Sequence, residues 1–284
     1  MEKIAVVTDT GSNLSFAQAK ELGIYLLPLQ ITIDETTYQD TLEISTQDIY
    51  NELANGKMPK TSMAAYQKIY DLFEELKKDY DTIFAVPLTN GLSTNASTMQ
   101  SIARELEMNV HVIDMYATCA LEKHVAIWIK KLVDEHKSSE EILKIIQPAI
   151  DESNSLILVK NLQHLKRGGR LTPMAAALAG LLKIYPVLHI NKSTEGRIDV
   201  LNKVHTEKRA DAYAIDKIMD DIDIQHTHIY IIHSNFLEGA DHFKKCFIEK
   251  GVPEQNIHID YISSVIAVHT GLGCIAIQYI REEN

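Results

Sequence analysis

Along most of this chain a short apolar run gives way to a loop rich in hydroxyls or glycine, and then to a segment of helical spacing. That alternation constrains the fold more than any other feature. Strands joined through helices pair in parallel, and the helices cover the faces of the resulting sheet. The pattern is clearest over residues 82–104, TIFAVPLTNGLSTNASTMQSIAR. Residues 82–87 read as a buried strand, 88–92 as a turn and 94–106 as a helix, with Ser93 where an N-cap hydroxyl belongs. A helix N-terminus offers unpaired N–H groups and a positive dipole end, which suit a carboxylate or phosphate. Thr89, Ser93, Thr94, Ser97 and Thr98 crowd this join together with Asn90 and Asn95. Taken alone, Ser93 reads as the cap of its own helix, and a ligand site needs support from elsewhere in the chain.

The same grammar opens the sequence, with a strand at 4–8, a loop at 9–13 and a helix at 14–22. A second strand is expected over 24–33, with a short return at 37–39. Ser45 and Asp48 fit a capping box. Thr61 and Ser62 precede a helix predicted at 63–78, whose Tyr66, Ile69, Tyr70, Phe73 and Leu76 mark one apolar face. A strand at 110–113 ends in Asp114; a helix surrounds Trp128, and another is capped at Ser138 and runs to Glu152. From Ser155 the order is a strand (155–160), a loop (161–170) and an alanine-rich helix opened by Pro173 (174–182). A hairpin follows, 184–190 with 197–204, then helix 207–221, strand 228–233, helix 239–250 and strand 257–261. A short helix at 263–268, a loop at 269–273 and a last strand at 274–280 close the chain. The fold class is therefore α/β. Two α/β domains are expected, 1–154 with a mainly parallel sheet and 155–284 with a mixed sheet because of its hairpin.

Composition removes several functions. At 284 residues the chain is long enough for two cores. A net charge of −11 argues against nucleic acid or an anionic membrane as the main partner. Cys119, Cys246 and Cys274 stand far apart and suggest neither a zinc site nor a disulfide framework. The opening residues, MEKIAVVTDTG, carry acids around a very short apolar run, so no secretory leader is expected and a cytoplasmic location is. Residues 261–280 lack Asp, Glu, Lys and Arg and are long enough to span a bilayer. They also hold Ser263, Ser264, His269, Thr270, Gly271, Gly273 and Gln278, so they read as buried core and not as a membrane span.

Three features point toward a site. Hydroxyl-bearing loops at 8–12, 61–62 and 89–97 would meet at one sheet edge, and open parallel sheets bind ligands at the carboxyl ends of their strands. No acid occurs between Glu152 and Glu195, a window that holds Lys160, Lys166, Arg167, Arg170, Lys183 and Lys192. A solvated basic face would explain that window, but Gly168 and Gly169 allow close backbone approach, and Arg suits carboxylate and phosphate geometry. Finally, His269 sits among Thr270, Gly271, Leu272 and Gly273, which favour a polar role over a core histidine. His226 and His228, two apart, would share one face of a strand, but no third ligand accompanies them and no metal site is assigned.

Thr61-Ser62, Gly91-Leu92-Ser93, the LKRGGR run at 165–170, the LLKIYPVL run at 181–188 and the HTG at 269–271 together resemble the DegV family. These are bacterial fatty-acid-binding proteins that serve as the carrier subunit of a fatty acid kinase. The resemblance covers essentially the whole chain. It implies a long-chain fatty acid in a buried tunnel between two α/β domains, its carboxylate held by Thr61 and Ser93. Ser62, Thr94, Arg170 and His269 would neighbour the head group, and Lys166 and Arg167 would help dock the partner. The carrier has no catalytic residue or cofactor of its own. It presents the carboxylate to a separate ATP-dependent kinase, which makes acyl phosphate for phospholipid synthesis, with at most transient membrane contact. Four positions depart from the family pattern: Leu272 and Ala64 where proline is usual or frequent, Thr94-Asn95 in place of Gly-Thr, and His205 where arginine is common. They bear on ligand and partner, not on the fold.

The residue chemistry agrees. Paired hydroxyls hold a carboxylate without a tight ion pair, and each buried CH₂ contributes about 0.8 kcal/mol. The apolar helix at 174–182 would serve as a wall. Two rival readings use the same residues. An α/β hydrolase would employ Ser93 as nucleophile, His269 as base and Asp114 as orienter, although the elbow signature wants glycine where Asn95 stands. A carrier of another amphipathic acid or of a lipid phosphate would keep the same head-group logic.

Overall fold

The computed structural model describes residues 2–181 and 183–282. In chain order the first half comprises β1 (Ile4–Asp9), α1 (Phe16–Leu22), β2 (Tyr25–Leu27), β3 (Gln30–Ile33), β4 (Thr36–Gln39), α2 (Thr46–Ala54), β5 (Lys60–Ser62), α3 (Tyr66–Leu76), β6 (Thr82–Val86), α4 (Asn95–Glu105), β7 (Asn109–Val112), α5 (Ala120–Asp134) and α6 (Ser139–Glu152). The second half comprises β8 (Asn154–Leu158), α7 (Leu162–Arg167), α8 (Pro173–Leu178), β9 (Tyr185–Ile190), β10 (Asp199–Val204), α9 (Glu207–Asp221), β11 (Thr227–His233), α10 (Leu237–Glu249), β12 (Ile257–Tyr261), α11 (Ser264–Thr270) and β13 (Ile275–Arg281).

A four-stranded sheet in the order β2-β1-β6-β7 is parallel throughout. Every residue of β1 and β6 is buried, as continuous apolar runs require when helices cover both faces. A six-stranded sheet runs β10-β9-β8-β13-β11-β12 and is antiparallel except between β11 and β12. The α/β class and the parallel-then-mixed order are those expected from sequence. The division expected at 154/155 falls at the head of β8, whose first residue is Asn154.

Several local expectations are corrected. The single strand expected at 24–33 is two, because Pro28 separates β2 from β3, and a residue without an N–H cannot continue a ladder. β3 turns away to pair antiparallel with β4 and β5 in a small sheet of its own. Thr61 and Ser62 therefore lie on β5, in register with Ile31 and Gln30, and not in a loop of the parallel sheet. The loop expected at 161–170 contains α7, capped by the Asn161 side chain on the His164 N–H. The helix expected at 174–182 ends as α8 at Leu178, and Leu182 lies outside the described residues. The short helix expected at 263–268 continues through His269 and Thr270 and stops where Gly271 takes a positive φ of 75°. The capping boxes at Ser45 and Ser138 form as expected.

Two packed layers set the geometry of the site. Helices α5 and α6 lie between the sheets: Leu121, Val125, Trp128, Ile142 and Ile146 pack on Val6, Phe84 and Val86, and Ile280 of β13 joins the same cluster. Helix α11 also bridges the halves. Its Val265 and Val268 pack with Val7, Ile31 and Ile69, while its Ala267 packs with Ile157, Leu188 and Ile232 of the six-stranded sheet. The buried Tyr50 of α2 donates to the Ile262 carbonyl at 2.6 Å just before α11, tying the first half to it. Among the described residues no helix is long and apolar enough to cross a membrane.

Candidate functional site

The loop after β6 is positioned from beneath by Asp9 at the end of β1. Asp9 Oδ2 accepts from the Leu88 N–H at 2.9 Å and from Asn95 Nδ2 at 2.6 Å, one bond at each end of the loop. Ser93 is not the N-cap of α4. Thr94 occupies that position without a side-chain cap, and Ser93 Oγ accepts from the Asn95 N–H at 3.2 Å. With its oxygen engaged by the helix, Ser93 keeps its hydroxyl proton to donate outward. The tip of the loop rests on the turn of the β9–β10 hairpin. A Cβ at Gly91 would collide with the Gly196 carbonyl, and one at Gly196 with the Thr89 side chain, so both positions need glycine.

Opposite this loop stands Thr61. Its Oγ1 lies 2.7 Å from His269 Nε2. Burial above all, together with the positive charge of Arg170, pushes the His269 pKa down to about 3, so the imidazole is neutral at physiological pH. When Nε2 carries the proton it donates to Thr61, and the threonine hydroxyl proton is left for a ligand. The turn after α7 closes the third side. His164 Nε2 lies 2.9 Å from the Val268 carbonyl, docking α7 on α11. Gly168 passes so near His269 that a Cβ there would lie 2.8 Å from its Nδ1. Arg170 Nη1 donates to the Gly168 carbonyl at 2.7 Å, which folds its guanidinium over the site.

These groups surround one cavity of about 450 Å³, with Thr61, Ser93, Arg170 and His269 among its polar lining and Leu29, Leu88, Leu92, Ile198, Val265 and Ile266 among its apolar walls. Leu92, Ile198, Ile266 and Thr270 also form the rim of a second, deeper void of about 30 Å³. Isoleucines 157, 190, 232 and 262 line that void against the six-stranded sheet. Gln278 ends it: its amide is satisfied by the Ala120 N–H, the Thr118 carbonyl and Ser155 Oγ. The two voids thus adjoin through these shared residues, and Leu92, Ile198 and Ile266 stand between the cavity lined by the two alcohols and the isoleucine-lined space against the six-stranded sheet. A larger hollow of about 690 Å³ by α5 and α6, lined by Lys131, Lys144, Glu152 and Arg281, shares none of these residues.

A family model described as "Uncharacterised protein, DegV family" matches residues 3–282. The chain belongs to the DegV family. A DegV domain-containing protein of Halalkalibacterium halodurans is 30% identical over 289 residues, covering 100% of both chains. Among solved structures, a fatty acid binding DegV family protein of Streptococcus agalactiae superposes with a TM-score of 0.91 at 29% identity, with 100% of each chain covered. DegV of Bacillus subtilis, a fatty acid binding protein, superposes with a TM-score of 0.86 at 26% identity, covering 99% of this chain and 100% of that one.

In this DegV chain the remaining sequence candidates divide. Ser62 and Thr94 line the cavity, but Ser62 Oγ donates to Gln30 at 3.0 Å and Thr94 Oγ1 to the Met63 sulfur at 3.4 Å. Lys166 and Arg167 are exposed on the last turn of α7. Lys160 and Lys192, from the same acid-free window, are neutralised by Glu207 and Asp151. The hydrolase triad does not assemble: Asp114 accepts from the backbone of Asn90 and Tyr116, while His269 turns to Thr61. His226 lies outside β11 and bonds Asp223, whereas His228 pairs with His258 on the neighbouring strand. His205 is exposed near the Lys183 carbonyl, and Leu272 packs against the cluster that holds Ile157, Leu188 and Ile232. Sequence reasoning missed Asp9, Gly196 and Gln278; Asn95, counted among the polar residues that crowd the join, bonds Asp9. A buried acid at a strand end gives no pattern by itself, though Asp9 directly before a Thr-Gly-Ser loop was a usable cue.

Proposed function

We propose that this protein carries a long-chain fatty acid, with its carboxylate between Thr61 and Ser93 and its tail directed past Leu92, Ile198 and Ile266 toward Gln278, and presents the acid to an ATP-dependent fatty acid kinase. The observation that supports this reading is the adjacency of two voids: Thr61 and Ser93 line the outer one, and isoleucines line the inner one, which shares Leu92, Ile198, Ile266 and Thr270 with it. The fatty-acid-binding relatives of S. agalactiae and B. subtilis support it. The inner void is about the volume share of one water molecule. Tail entry therefore requires Leu92, Ile198 and Ile266 to swing aside, driven by about 0.8 kcal/mol per buried CH₂.

A neutral His269 and two alcohols leave the carboxylate hydrogen-bonded but not locked, with Arg170 as the nearby charge. That suits an acid that must remain nucleophilic toward a phosphoryl donor. The carrier itself performs no chemistry and needs no cofactor. Exposed Lys166 and Arg167 beside the mouth form the face for a nucleotide-binding partner. On this reading residues 1–154 and 155–284 act as two units around the ligand, and the protein works in the cytoplasm, where ATP and the phospholipid pathway are found. Native mass spectrometry of the purified protein tests the assignment. A bound long-chain fatty acid, lost from Thr61→Ala/Ser93→Ala, is expected. A folded double variant that keeps the same lipid load would reject it.

A further inference from the structure

Beneath the head-group loop lies a pair of carboxyl groups that ligand contact does not use. Asp9 and Glu122 are both fully buried, Asp9 at the end of β1 and Glu122 on the first turn of α5. Asp9 is well supplied with donors: Gly11 N–H at 2.8 Å on Oδ1, and the Leu88 and Asn95 groups on Oδ2. Glu122 is not. Thr8 Oγ1 approaches its Oε1 at 3.2 Å while also donating to the Val86 carbonyl, and Glu122 Oε2 is buried without a donor among the described residues. That orphaned oxygen and Asp9 Oδ1 face the same small glycine: a Cβ at Gly11 would lie 2.7 Å from Asp9 Oδ1 and 3.1 Å from Glu122 Oε2.

Two carboxylates facing one another without a cation cannot both be ionised in a dry interior. The other titratable groups that face them are the Asp40 carboxyl and the Cys119 thiol, neither of which supplies positive charge. No lysine, arginine or histidine is bonded to either carboxyl among the described residues. A single proton on Glu122 Oε2, donated to Asp9 Oδ1, resolves both the orphan and the repulsion. Asp9 then stays anionic and makes its strongest bonds to the loop.

We propose that Asp9 and Glu122 share one proton and act together as the positioning pair for the loop 88–95 that carries Ser93. Burial and the neighbouring Asp9 charge both raise the Glu122 pKa well above the ordinary carboxylate range, in agreement with that assignment. Neither residue touches the ligand. Their effect passes through Leu88 and Asn95 to the Ser93 hydroxyl. The proposal rests on the fatty-acid reading for its consequence, but not for the proton itself.

Two measurements separate these. In a difference infrared spectrum at pH 8, wild type minus Glu122→Gln, the C=O stretch of a protonated carboxylic acid is expected in the wild type. Its absence overturns the shared proton whatever the ligand. Titration with a fluorescent long-chain fatty acid reads the positioning. Glu122→Ala should weaken binding about tenfold, and Glu122→Gln, whose amide still donates to Asp9, should recover most of that loss. Equal losses in the two variants would overturn the positioning role. Should Glu122→Ala fail to fold, Asn95→Ala carries the same test, and unchanged affinity there overturns it. Failure of the wild type to bind any fatty acid would defeat the carrier reading alone and leave the infrared result standing.

Discussion

Replacing Thr61 by valine removes one hydroxyl and keeps the shape of a β-branched side chain on β5. In the free protein the loss is the 2.7 Å bond to His269 Nε2, an ordinary half-buried hydrogen bond worth about 1 kcal/mol. In a chain of this size that lowers Tm by roughly 2 °C. In the complex the loss is a hydrogen bond to a charged acceptor, about 1.5–3 kcal/mol, or roughly 10- to 150-fold in Kd. The assay is displacement of a fluorescent fatty acid by two competitors with the same tail, the free acid and its methyl ester. Wild type should prefer the acid, and Thr61→Val should lose most of that preference with little change in ester affinity. If acid and ester weaken equally, Thr61 shapes the wall and does not hold the head group. If neither changes, the placement of the carboxylate is wrong.

Four further outcomes follow from the geometry. Ile266→Trp should fill the neck shared by the two voids and exclude long tails while short acids still bind, measured by a chain-length series; loss of both would place the neck elsewhere. Gly91→Ala should force the head-group loop off the hairpin turn, costing about 1–3 kcal/mol in urea unfolding with a parallel loss of affinity; wild-type values would contradict the packing. Charge reversal at Arg167 should impair kinase-dependent turnover more than lipid binding, whereas reversal at Arg170, which lines the cavity, should impair both. Asp40, which accepts from Ser264 at the start of α11, has its pKa raised by burial to about 6. Because the folded state holds this proton more tightly than the unfolded chain, its contribution of roughly 3 kcal/mol is present below about pH 4 and lost as pH rises to about 6. Asp40→Asn should remove that decline from the wild-type-minus-variant Tm profile.

The two large sheets were legible because their strands are apolar runs bounded by turn residues, and the helices because Ser45, Ser138 and Pro173 mark their starts. What failed was short or polar. Lys60-Thr61-Ser62 is three residues with no apolar period, so nothing local distinguishes a strand from a loop, and only its pairing with β3 makes it one. Helix α7 has just Leu162 and Leu165 to bury, and His269 became helical because α11 is held on both sides by packing that sequence spacing does not reveal. Ser93 lines the cavity but is not the N-cap that the spacing suggests, since Thr94 takes that position. The approach of Thr61 to Ser93 was legible in their hydroxyl-bearing segments, but that His269 joins them was available only through resemblance, because it comes from the other half of the chain.

The charge distribution explains how an acidic protein can receive an anion. With a net charge of −11 the body repels a carboxylate, and Asp9, Glu122 and Asp40 lie buried beneath the site itself. Two responses are built in. The shared proton removes one of the buried charges closest to the head-group loop. Within the acid-free window Lys160 and Lys192 are paired with Glu207 and Asp151, Lys183 is exposed away from the cavity lining, and exposed Lys166 and Arg167 with the cavity-lining Arg170 supply the positive charge nearest the site. Such a field steers an anion to the entrance and weakens with salt. On the proposed function it also favours product over substrate at the moment of transfer, since an acyl phosphate brings more negative charge to the same arginine. The neutral Thr61, Ser93 and His269 make no comparable distinction, so discrimination between the two states of the cargo falls to Arg170.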